Sequence, residues 1–149
     1  MFKIIEISAL DTFSLRHSIL RFGKPIESCY FEGDDLQTTK HFGLFYNSQL
    51  SGVISFFESH NSLFAAINQF QIRGMAVLEQ HQKKGFGEAL LKYCENQIRI
   101  KSGEIIWFNA RETAIGFYEK SAYKKIGDGF EIPDIGIHYV LFKQLNKIK

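Results

Sequence analysis

The stretch from Phe70 to Ala89, FQIRGMAVLEQHQKKGFGEA, constrains the chain more than any other. It starts as an apolar strand, crosses a polar bend, and passes through Gln82-Lys83-Lys84-Gly85-Phe86-Gly87 into a helix. Two glycines at a strand-to-helix turn allow backbone to approach a ligand without interference from a Cβ. Unpaired N–H groups and the dipole at a helix start favour an anion there. Lys83 and Lys84 add positive charge within the same few residues. The stretch reads as a phosphate cradle on a β–turn–α unit, which requires a second strand beside the first.

Elimination narrows the kind of cradle. A phosphate-binding loop of the G-x-x-x-x-G-K-S/T type needs Lys-Ser or Lys-Thr after a glycine, and neither Gly85 nor Gly87 has one. A dinucleotide fingerprint needs a third glycine, but Leu90 stands in that slot. What remains is Q-x-x-G-x-G directly after Met75-Ala76-Val77. Further on, the chain reads WFNARETAIGFYEKSAYKK from Trp107 to Lys125.

The two motifs together resemble the GNAT superfamily of acetyl-CoA-dependent N-acetyltransferases. Gln82, Gly85 and Gly87 match its coenzyme A pyrophosphate loop. Asn109, Ala114, Phe117, Tyr118, Lys120 and Tyr123 match, in order, its next strand and helix. Ala122 stands where that pattern has Gly. The resemblance covers Ile72 to Lys125 specifically, and the N-terminal half by element order only. It implies a co-substrate, acetyl-CoA, with Gln82, Lys83, Lys84, Gly85, Phe86, Gly87 and Glu88 around the pyrophosphate. It also implies main-chain contacts from Met75, Ala76 and Val77 to the pantetheine amides, a hydrogen bond from Asn109, and Ala114 and Phe117 near the coenzyme. Tyr118 matches the general acid that protonates the leaving thiolate. With an ordinary pKa of about 10 against about 8.5 for a thiol, a phenol suits that task. Gln71 falls where some relatives carry a catalytic Glu, and it cannot accept a proton at neutral pH. Glu79, His81 and His138 are candidate bases elsewhere, a water chain is the alternative, and no base is assigned. The implied reaction is acetyl transfer to a primary amine, small or peptidic, with no metal. A coenzyme-binding sensor that has lost turnover is the alternative, and a nucleotide-phosphate enzyme using the same turn is a third reading.

The rest of the chain fits one α+β domain over residues 1–149, a mixed and mostly antiparallel twisted sheet flanked by helices. An alternating strand covers Phe2 to Ser8. Asp11 is the expected N-cap of a helix with Phe13, Leu15, Ile19, Leu20 and Phe22 on its apolar face. Residues 23–40 read as loop, a length that is often functional. His41–Tyr46 and Leu50–Glu58 form a hairpin around Asn47-Ser48-Gln49. A turn at 59–62 then leads through Leu63–Ile67 to a strand near Phe70–Leu78. The helix from Gly85 to Lys101 carries Glu88–Lys92 and Glu95–Arg99 pairs and stops at Gly103. A strand follows over Glu104–Ala110, parallel to the first. Thr113 caps a short helix, and strands at Tyr123–Ile126 and Ile137–Leu145 finish the order βα–βββ–αβ–αββ.

Composition bounds the partners. With 149 residues, 45% of them apolar and 15 Phe, the chain can bury a bulky core. A net charge of +2 with dispersed basic residues argues against an extended nucleic-acid surface. Cys29 and Cys94 lack metal-site spacing and read as two partly buried thiols. No basic n-region precedes a long apolar run, and no stretch approaches the roughly 20 apolar residues of a membrane span. The expectation is a cytoplasmic protein without a membrane partner. Many members of the family pair, which leaves a homodimer open. Arg73, Lys124 and Lys125 read as solvated charge, and His41, His60 and His81 as ordinary.

Overall fold

The computed structural model describes residues 1–145. β1 (Phe2–Ile7) leads into a helical stretch made of a 3-10 turn (Leu10–Thr12), one α turn (α1, Phe13–Leu15) and a π turn (Arg16–Leu20). After a 3-10 turn at Ile26–Cys29 come β2 (Lys40–Tyr46), β3 (Gln49–Glu58) and β4 (Gln69–Val77). Then follow a 3-10 turn (Glu79–His81), α2 (Phe86–Ile100), β5 (Ile105–Arg111), a 3-10 turn (Glu112–Ala114), α3 (Ile115–Glu119), β6 (Lys124–Ile132) and β7 (Gly136–Gln144). One seven-stranded sheet holds them in the order β1-β2-β3-β4-β5-β7-β6. Only β4 and β5 are parallel; every other neighbouring pair is antiparallel. The expected α+β class and element order are both present.

Local chemistry explains the connections. Asn47 (φ 50°) and Ser48 (φ 65°) both adopt the left-handed conformation of a two-residue type I′ hairpin. α2 buries Phe86, Leu90, Leu91, Cys94 and Ile98 on one face. That face packs on Phe42, Leu44, Ile54, Phe56, Phe70 and Ile106 of the sheet in the main core. Each such side chain contributes about 1.5–3 kcal/mol, enough to hold the crossover in place. The opposite sheet face carries Leu15, Val53 and Ala76, with Ile19 and Leu20 packed beside them.

Several local expectations are corrected. Asp11 does not act alone at the first helical stretch: Ser8 Oγ accepts its N–H while its carboxylate accepts that of Ser8, each at 3.1 Å. Phe22 lies outside any apolar face, 83% exposed, because the helical stretch ends at Leu20 and the chain turns there. Residues 63–67 lead into β4 outside any strand, as expected, with Phe64 buried. Glu95 does not pair with Arg99. It is buried, accepts from the Tyr123 hydroxyl at 2.7 Å, and lies 3.3 Å from Lys143 Nζ. Glu88–Lys92 does form, at 3.1 Å. The left-handed residue after α2 is Ser102 (φ 63°) rather than Gly103, where a Cβ would run into Ile98. Thr113 makes no capping bond.

Candidate active site

Two irregularities in β4 open the sheet. Its pairing with β5 ends after three residues, with Gln71 opposite Trp107. Beyond them lies a bulge: Gly74 and Met75 together face Ile54 of β3, since Arg73 pairs with Ser55 and Ala76 with Val53. Gly74 has φ 70°, which glycine adopts without strain, and its missing side chain would otherwise sit 2.9 Å from the Phe31 ring. The bulge resets the alternation of side chains. Phe70 and Ile72 face α2 before it, and Met75 and Val77 face α2 after it. Gln71 and Arg73 therefore belong to the α1 face. The divergence leaves a cleft of about 380 Å³ between the strands, reached from both faces.

The glycine turn lies beside the cleft, its Gly87 next to the cleft residue Met75. Lys83 (φ 66°) and Gly85 (φ 82°) are both left-handed, and Gly85 leads directly into α2. The first α-helical bond made from this turn is Ala89 N–H to Gly85 O, at 3.0 Å. The N–H groups of Phe86, Gly87 and Glu88 precede it and have no intrahelical partner. A Cβ on Gly85 would meet nothing within 4 Å, so the concavity is open. Gln82 braces the turn by donating to Val77 O at 3.0 Å. Lys84 turns away from it, 4.8 Å over the Tyr46 ring and 3.3 Å from His81 Nδ1, while Lys83 is exposed. The Phe86 side chain is core, against Phe2 and Tyr46, which leaves only its main chain toward the turn. Gly87 lies under Phe117, whose Cζ would be 3.3 Å from a Cβ.

Of the remaining expected residues, Met75, Asn109, Ala114 and Tyr118 line the cleft together. The Ala76 side chain packs against Leu15 and Val53 on the α1 face, while Val77 packs into the main core. Of the candidate bases His138 lines the cleft, and Glu79 and His81 do not; Gln71, which cannot serve as a base, lines it as well. His138 Nδ1 lies 3.0 Å from Gly136 O. A carbonyl only accepts, so Nδ1 is the donor, and a neutral ring in this tautomer has its lone pair on Nε2. Tyr118 stacks at 4.5 Å on Phe108 and 5.1 Å from Phe117. Among the described residues its hydroxyl has no hydrogen-bond partner. Burial pushes the phenol up to about 12, which widens the expected gap to a thiol to about 3–4 units. The neighbouring Tyr123 is raised further, by burial and then by Glu95.

Sequence reasoning missed the cationic wall of the cleft. Arg21, Phe31 and Arg111 line it, and Arg73 is part of the wall rather than plain solvated charge. Behind them, buried Arg16 donates to both carboxylate oxygens of Asp34 at 2.6 and 3.1 Å, to Cys29 O at 2.8 Å and to Ser55 Oγ at 3.1 Å. His41 completes this network through Ser55 Oγ at 2.6 Å and Asp34 O at 2.9 Å. The one signal was Arg16 breaking an otherwise apolar helical face.

A family model for the acetyltransferase (GNAT) domain matches residues 21–141. The chain belongs to the GNAT acetyltransferase family. It is 34% identical over 145 residues, 97% of each chain, to the uncharacterized N-acetyltransferase YitI of Bacillus subtilis strain 168. Solved GNAT structures share the fold at lower identity. The ribosomal-protein-S18-alanine N-acetyltransferase of Escherichia coli superposes with TM-score 0.78 at 14% identity, covering 100% of this chain and 97% of that one. An aminoglycoside 6'-N-acetyltransferase complexed with coenzyme A gives 0.72 at 16%, covering 99% of each. Among the described residues no helix is long and apolar enough to cross a membrane, and no cluster of metal ligands occurs.

Proposed function

We propose that this GNAT domain transfers acetyl from acetyl-CoA directly to a primary amine. The observation that carries the reading is the cleft itself. Tyr118, whose hydroxyl has no partner among the described residues, and Met75 line the gap that β4 and β5 leave unzipped, and the unpaired amides at the α2 start lie beside it, with Gly87 next to Met75 and Phe117. Gly85 to Glu88 would hold the pyrophosphate by main-chain N–H groups, helped by the helix dipole and the exposed Lys83. Met75 to Val77 would offer peptide groups to the pantetheine arm, with one N–H polarising the thioester oxygen.

The amine lone pair attacks the thioester carbon, the C–S bond breaks, and the thiolate leaves. Tyr118 stays protonated across physiological pH, so it donates a hydrogen bond to the developing thiolate. Its proton moves fully only as that sulfur, desolvated in the cleft, becomes more basic. The proton lost by the amine goes to His138 Nε2 or to water. A sensor without turnover is the rival, favoured by Gln71 lining the cleft where a catalytic Glu stands in some relatives. Purified protein mixed with acetyl-CoA and a pooled amine panel separates them. Amine-dependent release of free thiol supports the transferase, and coenzyme binding without release on the whole panel supports the sensor.

A further inference from the structure

The α1 side of the cleft has a chemistry of its own. Three guanidinium groups crowd the Phe31 ring: Arg16 at 3.9 Å, Arg73 at 4.6 Å and Arg21 at 5.4 Å from its centroid. Asp34 neutralises only the first, at 2.6 Å. Arg21 and Arg73 line the cleft, Arg111 joins them from β5, and the lining contains no Asp or Glu. Among the described residues none of these three has a carboxylate oxygen within 4.0 Å. Glu32 and Asp35, the acids on the loop on either side of Asp34, are exposed. Burial, then Arg16, presses the Arg73 pKa below its ordinary value, with Arg21 adding to this and Asp34 and Glu32 opposing it. Like charges held together without a counter-ion repel, and an anion in the cleft would relieve that repulsion. The arrangement is unfavourable to a polyamine or any other acceptor rich in cations.

We propose that the acceptor is a small amine that also carries an oxyanion, carboxylate or phosphate, and that Arg73 and Arg21 hold it in their planar forks. This rests on the acetyl-transfer reading, and it deepens that reading by naming the acceptor class. Arg73 and Arg21 are specificity residues in this scheme.

The test pairs amines of matched shape: β-alanine against its amide, phosphoethanolamine against ethanolamine, with spermidine as the cation. Thiol release from acetyl-CoA is measured for each, and binding of each to the coenzyme A-loaded and the free protein is measured by calorimetry. A kcat/KM about 10- to 100-fold higher for the anionic member of a pair is expected, and the better of the two pairs tells carboxylate from phosphate. Arg73→Gln and Arg21→Gln should each raise KM for that amine by a similar factor without moving coenzyme A affinity. Faster turnover of the neutral or cationic amines overturns the proposal while leaving acetyl transfer intact. Absence of coenzyme A binding removes acetyl transfer instead, and the anionic amines binding the free protein would still uphold the anion site. No turnover and no binding of either anionic amine overturns it.

Discussion

Tyr118 and Tyr123 sit 6.2 Å apart, ring to ring, yet removing their hydroxyls should have opposite consequences. Among the described residues the Tyr118 oxygen bonds to no protein group, so Tyr118→Phe removes no hydrogen bond from them. Its stability should stay within about 0.5 kcal/mol of the parent. If that hydroxyl supports the leaving thiolate, turnover should fall by roughly 10²–10⁴, with coenzyme affinity unchanged. Tyr123→Phe removes a 2.7 Å bond to a buried carboxylate. A hydrogen bond to a charged group is worth about 1.5–3 kcal/mol, so the melting temperature should drop by roughly 4–10 °C. Its turnover at a temperature where it is folded should be nearly unaffected. Thermal melts and thiol-release assays on the two variants side by side decide the matter. A Tyr118→Phe enzyme with parental rate, or one that melts early while Tyr123→Phe does not, would refute the assignment of roles.

Three other substitutions or conditions test the framework. Gly85→Ala places a side chain in left-handed backbone and should cost about 1–2 kcal/mol by melting, while its methyl intrudes where the pyrophosphate would rest and weakens coenzyme binding in calorimetry. Asp34→Asn leaves the Arg16 charge buried without its partner and should cost about 3–5 kcal/mol; a denaturant midpoint close to the parent's would count against the network. Alkaline stability follows from the raised phenol. Its folded pKa of about 12 exceeds the ordinary value of 10.0, so its contribution is intact below pH 10 and is lost between about pH 10 and 12. That loss amounts to about 2–3 kcal/mol, and denaturant titrations over this range should show a shallower decline in Tyr118→Phe.

The glycine turn, α2 and the parallel pair were legible because each depends on residues close in sequence. Gly85 ends a bend, apolar residues recur at helical spacing behind it, and a second apolar run follows at crossover distance. What escaped depends on distant partners. Glu95 looked like half of a surface pair with Arg99, but it lies between Cys94 and Ile98 on the buried face, and its partners come from Tyr123 and Lys143. Arg16 could be read as one cation in a helix only until Asp34, Cys29 and Ser55 converge on it from three separate segments. The bulge at Gly74 was invisible because one residue gained in β4 registers only against β3. Arg73 consequently passed for a solvent-facing charge.

The early end of β4–β5 pairing has a wider meaning. Whatever docks against that rim meets peptide groups, which every residue type supplies equally. A coenzyme held as proposed would therefore ask little of side-chain identity, and the fold itself is shared with a chain that agrees at 14% of positions. The arginine end carries no such protection, since each cation there is one codon from being something else. Under the proposed scheme one half of the pocket could be kept while the other is rewritten, so that the acceptor would change without loss of the donor.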